Sequence, residues 1–223
     1  VMDWVITSSQ EAAKKHKIKV SLIASVNRHE SPDLAEQVAW LAVDHMKHGL
    51  MGLDLAGNEA EFPSSPFYGI FKEARESGLR VTIHAGEWGP ASNVREAIEN
   101  LGAERIGHGV RVLEDDEVVS LAKERGTVFE VCVTSNFQSG VVNSVESHPL
   151  PKMLEKGLKV TINTDDPSIS RITLANEYQV ACDKLNVKID DLKKSVLMAA
   201  ESAFLSDADK TQLTNSLKKE LKL

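Results

Sequence analysis

Short apolar runs recur along the chain, each preceded by a mixed polar and apolar stretch and a glycine. HMKHG passes into LMGLDLAGNE at Gly49, EARESG into LRVTIHAGE at Gly78, and IENLG into AERIGHG at Gly102. LAKERG passes into TVFEVCVTSN at Gly126, and MLEKG into LKVTINTDDP at Gly157. Each glycine suits the left-handed position just past the end of a helix, with a strand following. The glycines lie roughly 24–31 residues apart, about the size of one βα unit. An earlier unit, EAAKKHKIKVSLIASVNR, puts a strand over 18–26, which makes six strands alternating with helices. Runs that are apolar on both faces are what a parallel sheet covered by helices requires. Six such units fit an open doubly wound sheet or most of an eight-stranded barrel. The opening VMDWVITSSQ reads as the middle of a helix, and residues from about Leu174 onward read as purely helical. Ser31-Pro32 predicts an N-cap with Pro at the first helical position. Asn93 with Glu96 three residues on is close to a capping box. No low-complexity stretch or linker divides the chain, so residues 1–223 read as a single domain.

Bulk properties narrow the classes. The chain has 223 residues, 42% hydrophobic and 26% charged, ordinary values for a soluble globular domain. A net charge of −7 argues against nucleic acid or an anionic membrane as partner. Cys132 and Cys182 make no disulfide framework, in keeping with a reduced cytoplasmic setting. No apolar run approaches the length of a membrane helix. No basic segment precedes an apolar one at the start, as a signal peptide would need.

The strands end in polar residues rather than in plain turns. In chain order these are Asn27 and Arg28; Asp54, Gly57 and Glu59; His84 and Glu87; His108; Ser135 and Asn136; Asp165 and Asp166. The C-terminal ends of strands in βα folds converge on one mouth, where active sites sit. His84, His108 and Asp165 are plausible ligands for zinc or a similar divalent ion. Glu87 is a carboxyl able to serve as acid or base beside it. The chain has no phosphate-binding glycine loop, no G-x-S-x-G elbow and no Cys-x-x-Cys pair. Metal-assisted hydrolysis is the class that remains. Each residue also has a plainer reading. A strand-end histidine more often makes a structural hydrogen bond. Asp165-Asp166-Pro167 could cap a helix, and Asp54 could cap the segment after it. His16, His29, His45 and His48 fall in helical or connecting segments, and His148-Pro149 reads as a turn before a helix. The shared position of His84, Glu87, His108 and Asp165 at the same end of successive strands favours a site.

LDLAGNE, HAGE, RIGHGV, TSNFQSG with HPL, and NTDDP stand in an order and at intervals that resemble the adenosine deaminase family of the amidohydrolase superfamily. The resemblance covers nearly the whole chain. It implies a TIM-type (β/α)8 barrel, of which about six βα units, strands three to eight, and the C-terminal helices are present. It implies one zinc ion held in part by His84 and Asp165. His108 would orient the attacking water, and Glu87 would protonate purine N1 so that C6 becomes electrophilic. Asp166 would hydrogen-bond N7, and the backbone N–H of Gly57 would reach N3. The partner implied is a small purine nucleoside.

One departure stands out. The family carries a His-x-His pair on its first strand, and no His-x-His occurs in this sequence. Strands one and two of the barrel are therefore expected to lie outside these residues, lost, truncated or supplied by a second chain. Three functions stay open: adenosine deamination; a related purine aminohydrolase acting on aminofutalosine, adenine or N6-methyl-AMP; and an inactive fragment or pseudoenzyme without a complete metal site.

Overall fold

The computed structural model describes residues 1–223. Six strands form one parallel sheet in sequential order: β1 Leu22–Asn27, β2 Leu50–Ala56, β3 Arg80–Ala85, β4 Arg105–His108, β5 Val128–Val131 and β6 Lys159–Ile162. Neighbouring registers form one row across the sheet, from Ser25 through Asp54, Thr82, Arg105 and Val128 to Lys159. That row starts near the end of β1 and finishes at the first residue of β6. A steady stagger of this kind tilts strands into a barrel wall, and the chain forms a partial (β/α) barrel.

The helices come between strands, as the glycine rhythm predicts. They are α1 Met2–His16, α2 Pro32–Asp44, α3 Tyr68–Glu76, α4 Ala91–Glu99, α5 Asp116–Arg125, α6 Val133–Gln138, α7 Leu150–Glu155 and α8 Pro167–Ser170. The chain then ends in α9 Leu174–Asp183, α10 Ile189–Ser202 and α11 Asp207–Leu221. Ser31 caps α2 as expected, its Oγ accepting from Leu34 N–H. No helix is long and apolar enough to cross a membrane.

Two local expectations are corrected. The first strand begins at Leu22 rather than Ile18. Lys17 ends α1 with a left-handed φ of 54°, and pairing with β2 starts only at Leu22, opposite Leu50. Ile18 and Val20, outside the sheet, stay 58% and 41% exposed. Asn93 and Glu96 make no capping box. Helix α4 starts at Ala91 behind Pro90, so Asn93 is already in the first turn. Its amide instead donates to Glu59 Oε2, while Glu96 accepts from Ser64 and Tyr68.

The core lies between sheet and helices. Leu53, Leu55, Val81, Ile83, Ile106 and Phe129 from the strands meet Ala35 and Ala39 of α2, Phe71 of α3, Val94 of α4 and Val118 of α5. Each fully buried large aliphatic side chain contributes roughly 1.5–3 kcal/mol. Because this core wraps the outer side of the strands, their ends are held rigidly.

Candidate active site

Five strands deliver the polar groups of the mouth. Asp54 lies within β2, His84 at the end of β3, His108 at the end of β4, Cys132 just past β5, and Asp165 three residues past β6. Asp54 Oδ1 stands 3.0 Å from His84 Nδ1, and its other oxygen accepts from Ser25 Oγ at 3.0 Å. The His84 and His108 rings lie 5.3 Å apart at a tilt of 58°. His108 Nε2 is 3.5 Å from Glu87 Oε2 and 4.0 Å from Asp165 Oδ2. Ser135 Oγ donates to Asp165 Oδ2 at 2.7 Å. His84 and Asp165 keep 32% and 30% of their side-chain surface open, while His108 keeps 4%. A molecule entering from solvent therefore meets the first two directly and His108 only through them.

Burial and facing charges set the protonation states. Burial opposes charge on His84, but the Asp54 carboxylate outweighs it, by charge and hydrogen bond, with Glu87 and Asp165 adding to the pull. The imidazole is raised to about 9. Glu87 is pushed up to about 7, chiefly by burial, against the pull of His84 and with help from Asp165 and Glu59. His108 is lowered to about 4 by burial and then by the neighbouring His84 charge. Burial also raises the Cys132 thiol well above its ordinary value, and Asp165 adds to the effect.

A set of buried polar contacts fixes these groups. The Glu59 carboxylate accepts from three successive backbone N–H groups, Gly86 at 2.9 Å, Glu87 at 2.6 Å and Trp88 at 2.8 Å, and from Asn93 Nδ2 at 2.8 Å. That clamp holds the turn on which Glu87 rides. Arg28, itself buried, donates from Nη2 to the carbonyl of His84 at 2.6 Å. Glu177, fully buried on α9, accepts from the N–H and the hydroxyl of Thr134 and so ties down the segment that follows β5.

Two of the six non-glycine residues at positive φ lie at the mouth. His108 and Asp165 adopt φ of 62° and 58°, a region that non-glycine residues enter at a cost and that clusters at functional sites. Gly57 sits at φ 97°, and a Cβ there would run into the Asn27 side chain. Only glycine fits that turn.

All six residues expected from the sequence thus lie at strand ends or in the turns just past them, on the side where the β2–β6 ends converge. His84, Glu87, His108 and Asp165 are linked through the His108 contacts. Asp166 begins α8 as its N-cap residue but makes no side-chain cap bond, and Gly57 lies in the turn after β2. Three roles were not legible. Cys132 carries no motif, and it is not among the strand-end residues that the sequence marks. Glu59 was noted only as a strand-end acid. His148, read as a turn residue, is buried and bonded to Asn136.

The donor set suits a borderline divalent ion such as zinc, which takes imidazole, carboxylate and thiolate ligands. One ligand atom each from His108, Cys132 and Asp165 lies within 4.8 Å of the others. His84 is outside that group, but Asp54 engages its Nδ1, the arrangement in which a carboxylate orients a metal-binding histidine, and Nε2 would ligate in place of the proton it carries at neutral pH.

Residues 1–220 match the adenosine deaminase family. An adenosine deaminase of Clostridium perfringens strain 13 is 40% identical over 217 residues, covering 97% of this chain and 65% of the relative. One from Aliivibrio fischeri is 38% identical, covering 96% and 64%. Among solved structures, an adenine deaminase from Arthrobacter aurescens superposes with a TM-score of 0.87 at 32% identity, covering 95% of this chain and 64% of that one. An amidohydrolase from Burkholderia ambifaria with bound zinc gives 0.88 at 29%, covering 98% and 61%. The chain spans about 65% of the length of the curated relatives it matches.

Proposed function

The chain belongs to the adenosine deaminase family, and on that premise we propose that its protein deaminates adenosine or deoxyadenosine hydrolytically, releasing inosine or deoxyinosine and ammonia, in cytoplasmic purine salvage. The observation that carries this reading is Glu87. It is a carboxyl at the mouth held near 7, beside a neutral His108 and an aspartate. A carboxyl that is partly protonated at neutral pH is suited to deliver a proton to a ring nitrogen.

His84 and Asp165 are the residues proposed to hold zinc, with the family's His-x-His pair coming from outside these 223 residues or from a second chain. Once bound, zinc supplies Lewis acidity that lowers the pKa of a coordinated water. The remaining steps fall to the chain's own groups. Asp54 holds the His84 ring in one orientation. Glu87 gives its proton to purine N1, which withdraws electrons from C6. His108 and Asp165 orient the incoming water at that carbon. The Gly57 N–H donates to N3, and the Asp166 carboxyl, when it carries its proton, donates to N7, so the ring is held by both of its edges. The buried floor around His108 keeps bulk water from competing.

A second reading, a related aminohydrolase, is favoured by the likeness at 32% identity to the adenine deaminase, and at 26% to an N6-methyl-AMP deaminase of Arabidopsis. The test is to measure zinc per chain in the intact protein, and kcat/KM for adenosine, adenine, N6-methyl-AMP and aminofutalosine. Highest kcat/KM on adenosine, lost on chelation and regained with zinc, is the expected result. Highest kcat/KM on another substrate moves the assignment there, and absence of both zinc and turnover makes the chain a pseudoenzyme.

A further inference from the structure

Beneath the mouth lies a line of buried polar groups whose proton positions follow from one fixed point. A backbone N–H can only donate. The Leu150 N–H points at His148 Nδ1 from 3.1 Å, so that nitrogen bears a lone pair and the proton of the neutral ring is on Nε2. His148 Nε2 lies 3.2 Å from Asn136 Oδ1 and donates to it. That fixes the amide, whose Nδ2 faces His108 Nδ1 at 3.1 Å and donates in turn, its second hydrogen reaching Glu87 Oε1 at 3.4 Å. His108 Nδ1 is therefore the acceptor, and His108 carries its proton on Nε2, the nitrogen nearest Glu87 and Asp165. A flipped amide would set its NH2 against the His148 N–H, two donors with no acceptor between them. All three side chains are buried, Asn136 completely, and a buried donor left without a partner costs about 1–3 kcal/mol.

We propose that His148 is a positioning residue: acting through Asn136, it locks His108 in the Nε2–H tautomer and so makes the buried imidazole a hydrogen-bond donor into the site. With the other tautomer His108 would turn a lone pair toward Glu87 and Asp165; it would hold neither as a carboxylate, and it would hold Glu87 only by accepting the hydrogen bond of the proton that Glu87 is proposed to give away. The relay costs no charge, because every member is neutral and every hydrogen bond along it has one donor and one acceptor. Its functional consequence rests on the deaminase reading, but the tautomer does not.

The test is two-bond 1H–15N correlation of the imidazole nitrogens in the intact protein, with His108 assigned by substitution. Wild type is expected to show His108 as the Nε2–H form. His148→Phe keeps the ring volume but has no donor. It should bring in the Nδ1–H form and lower kcat on the order of tenfold, with KM within about threefold, as loss of an orienting partner does. His148→Gln offers an amide donor again and should return both readouts most of the way. A wild-type His108 in the Nδ1–H form overturns the proposal. So does a His148→Phe protein with unchanged tautomer, whether or not kcat falls, because His148 would then act through packing alone. If His148→Phe fails to fold, His148→Met, which also lacks a donor, takes its place with the same expected and overturning results. If no substrate is turned over, the deaminase reading fails while the tautomer readout stands.

Discussion

The two ends of the same six strands are built on opposite terms. At the C-terminal end, two imidazoles and the carboxyls of Asp54, Glu87 and Asp165 crowd together, two residues sit at unfavourable φ, and burial and facing charges raise His84 and Glu87 and lower His108. At the N-terminal end the charges stand in opposite pairs. Arg80 pairs with Glu104, and Arg105 Nε stands 3.2 Å from Glu130 Oε1. The Phe204 ring closes that end, with the Arg105 guanidinium 3.8 Å and that of Arg80 5.1 Å from its centroid. It lies so close to Gly52 that a Cβ there would touch the ring. One end stores unfavourable energy that chemistry can use, and the other supplies the stability that tolerates it. Substitutions should therefore separate cleanly, with the upper end changing activity and the lower end changing folding.

The sharpest break is Glu87→Gln. The amide has nearly the same shape but no proton to give, so kcat should fall by about 10²-fold or more, as for removal of a positioned acid. Thermal stability and zinc content should hold, since Glu87 lies outside the proposed ligand pair. Near-normal turnover would remove Glu87 from the mechanism.

The matching break at the other end is Phe204→Ala. It deletes a buried ring and both of its guanidinium contacts, and should cost about 3–5 kcal/mol of stability. A urea titration would read this as a lower midpoint at constant slope, with kcat at a permissive temperature unchanged. A variant of normal stability but low kcat would show that the two ends are not separable.

This division was half visible in the sequence. The glycines at helix ends and the apolar runs gave the six strands, because both signals are local. The chemistry at their upper ends was legible because His84, Glu87, His108 and Asp165 are polar where a buried strand should not be. The residues that hold those groups were not. Glu59 looks like any loop acid, and its role depends on three N–H groups about 27 positions away along the chain. His148 looks like a turn residue until Asn136 is brought beside it. Asn93 was misplaced because the rule for caps fitted a helix start that Pro90 had already set. Phe204 lay in a segment read only as helical, and its work is wholly tertiary.

A smaller effect sharpens the contrast through pH. His148 is lowered to about 4 by burial and then by the nearby His108, whereas an unfolded histidine takes up its proton near 6.5. Between those values the unfolded state binds more protons, so stability falls as pH drops from about 6.5 toward 4. The shift corresponds to roughly 3 kcal/mol at the acid end. His148→Gln should lose part of this acid sensitivity, seen as a smaller drop in Tm between neutral and acid buffer. An equal drop in the two proteins would mean that His148 protonates without cost in the fold.

The least effect is expected from Glu104→Gln at the lower end. Hydrogen bonding to Glu104 raises the Arg80 guanidinium, as in a strong pair. The side chains are 37% and 39% exposed, however, and water screens both. Pairs this open typically contribute about 0–1 kcal/mol, and the amide keeps one acceptor for Arg80. Glu104→Gln should therefore lower stability by less than about 1 kcal/mol, and the deficit should shrink further in roughly 1 M salt, where the screening length is about 3 Å. Activity should not move, because this pair is at the far end of the strands from His84 and His108. A loss well above 1 kcal/mol that persists in salt would show that Arg80 is held for Phe204 by Glu104. The lower end would then be a coupled unit of ring and ion pair rather than a packed ring with screened charges around it.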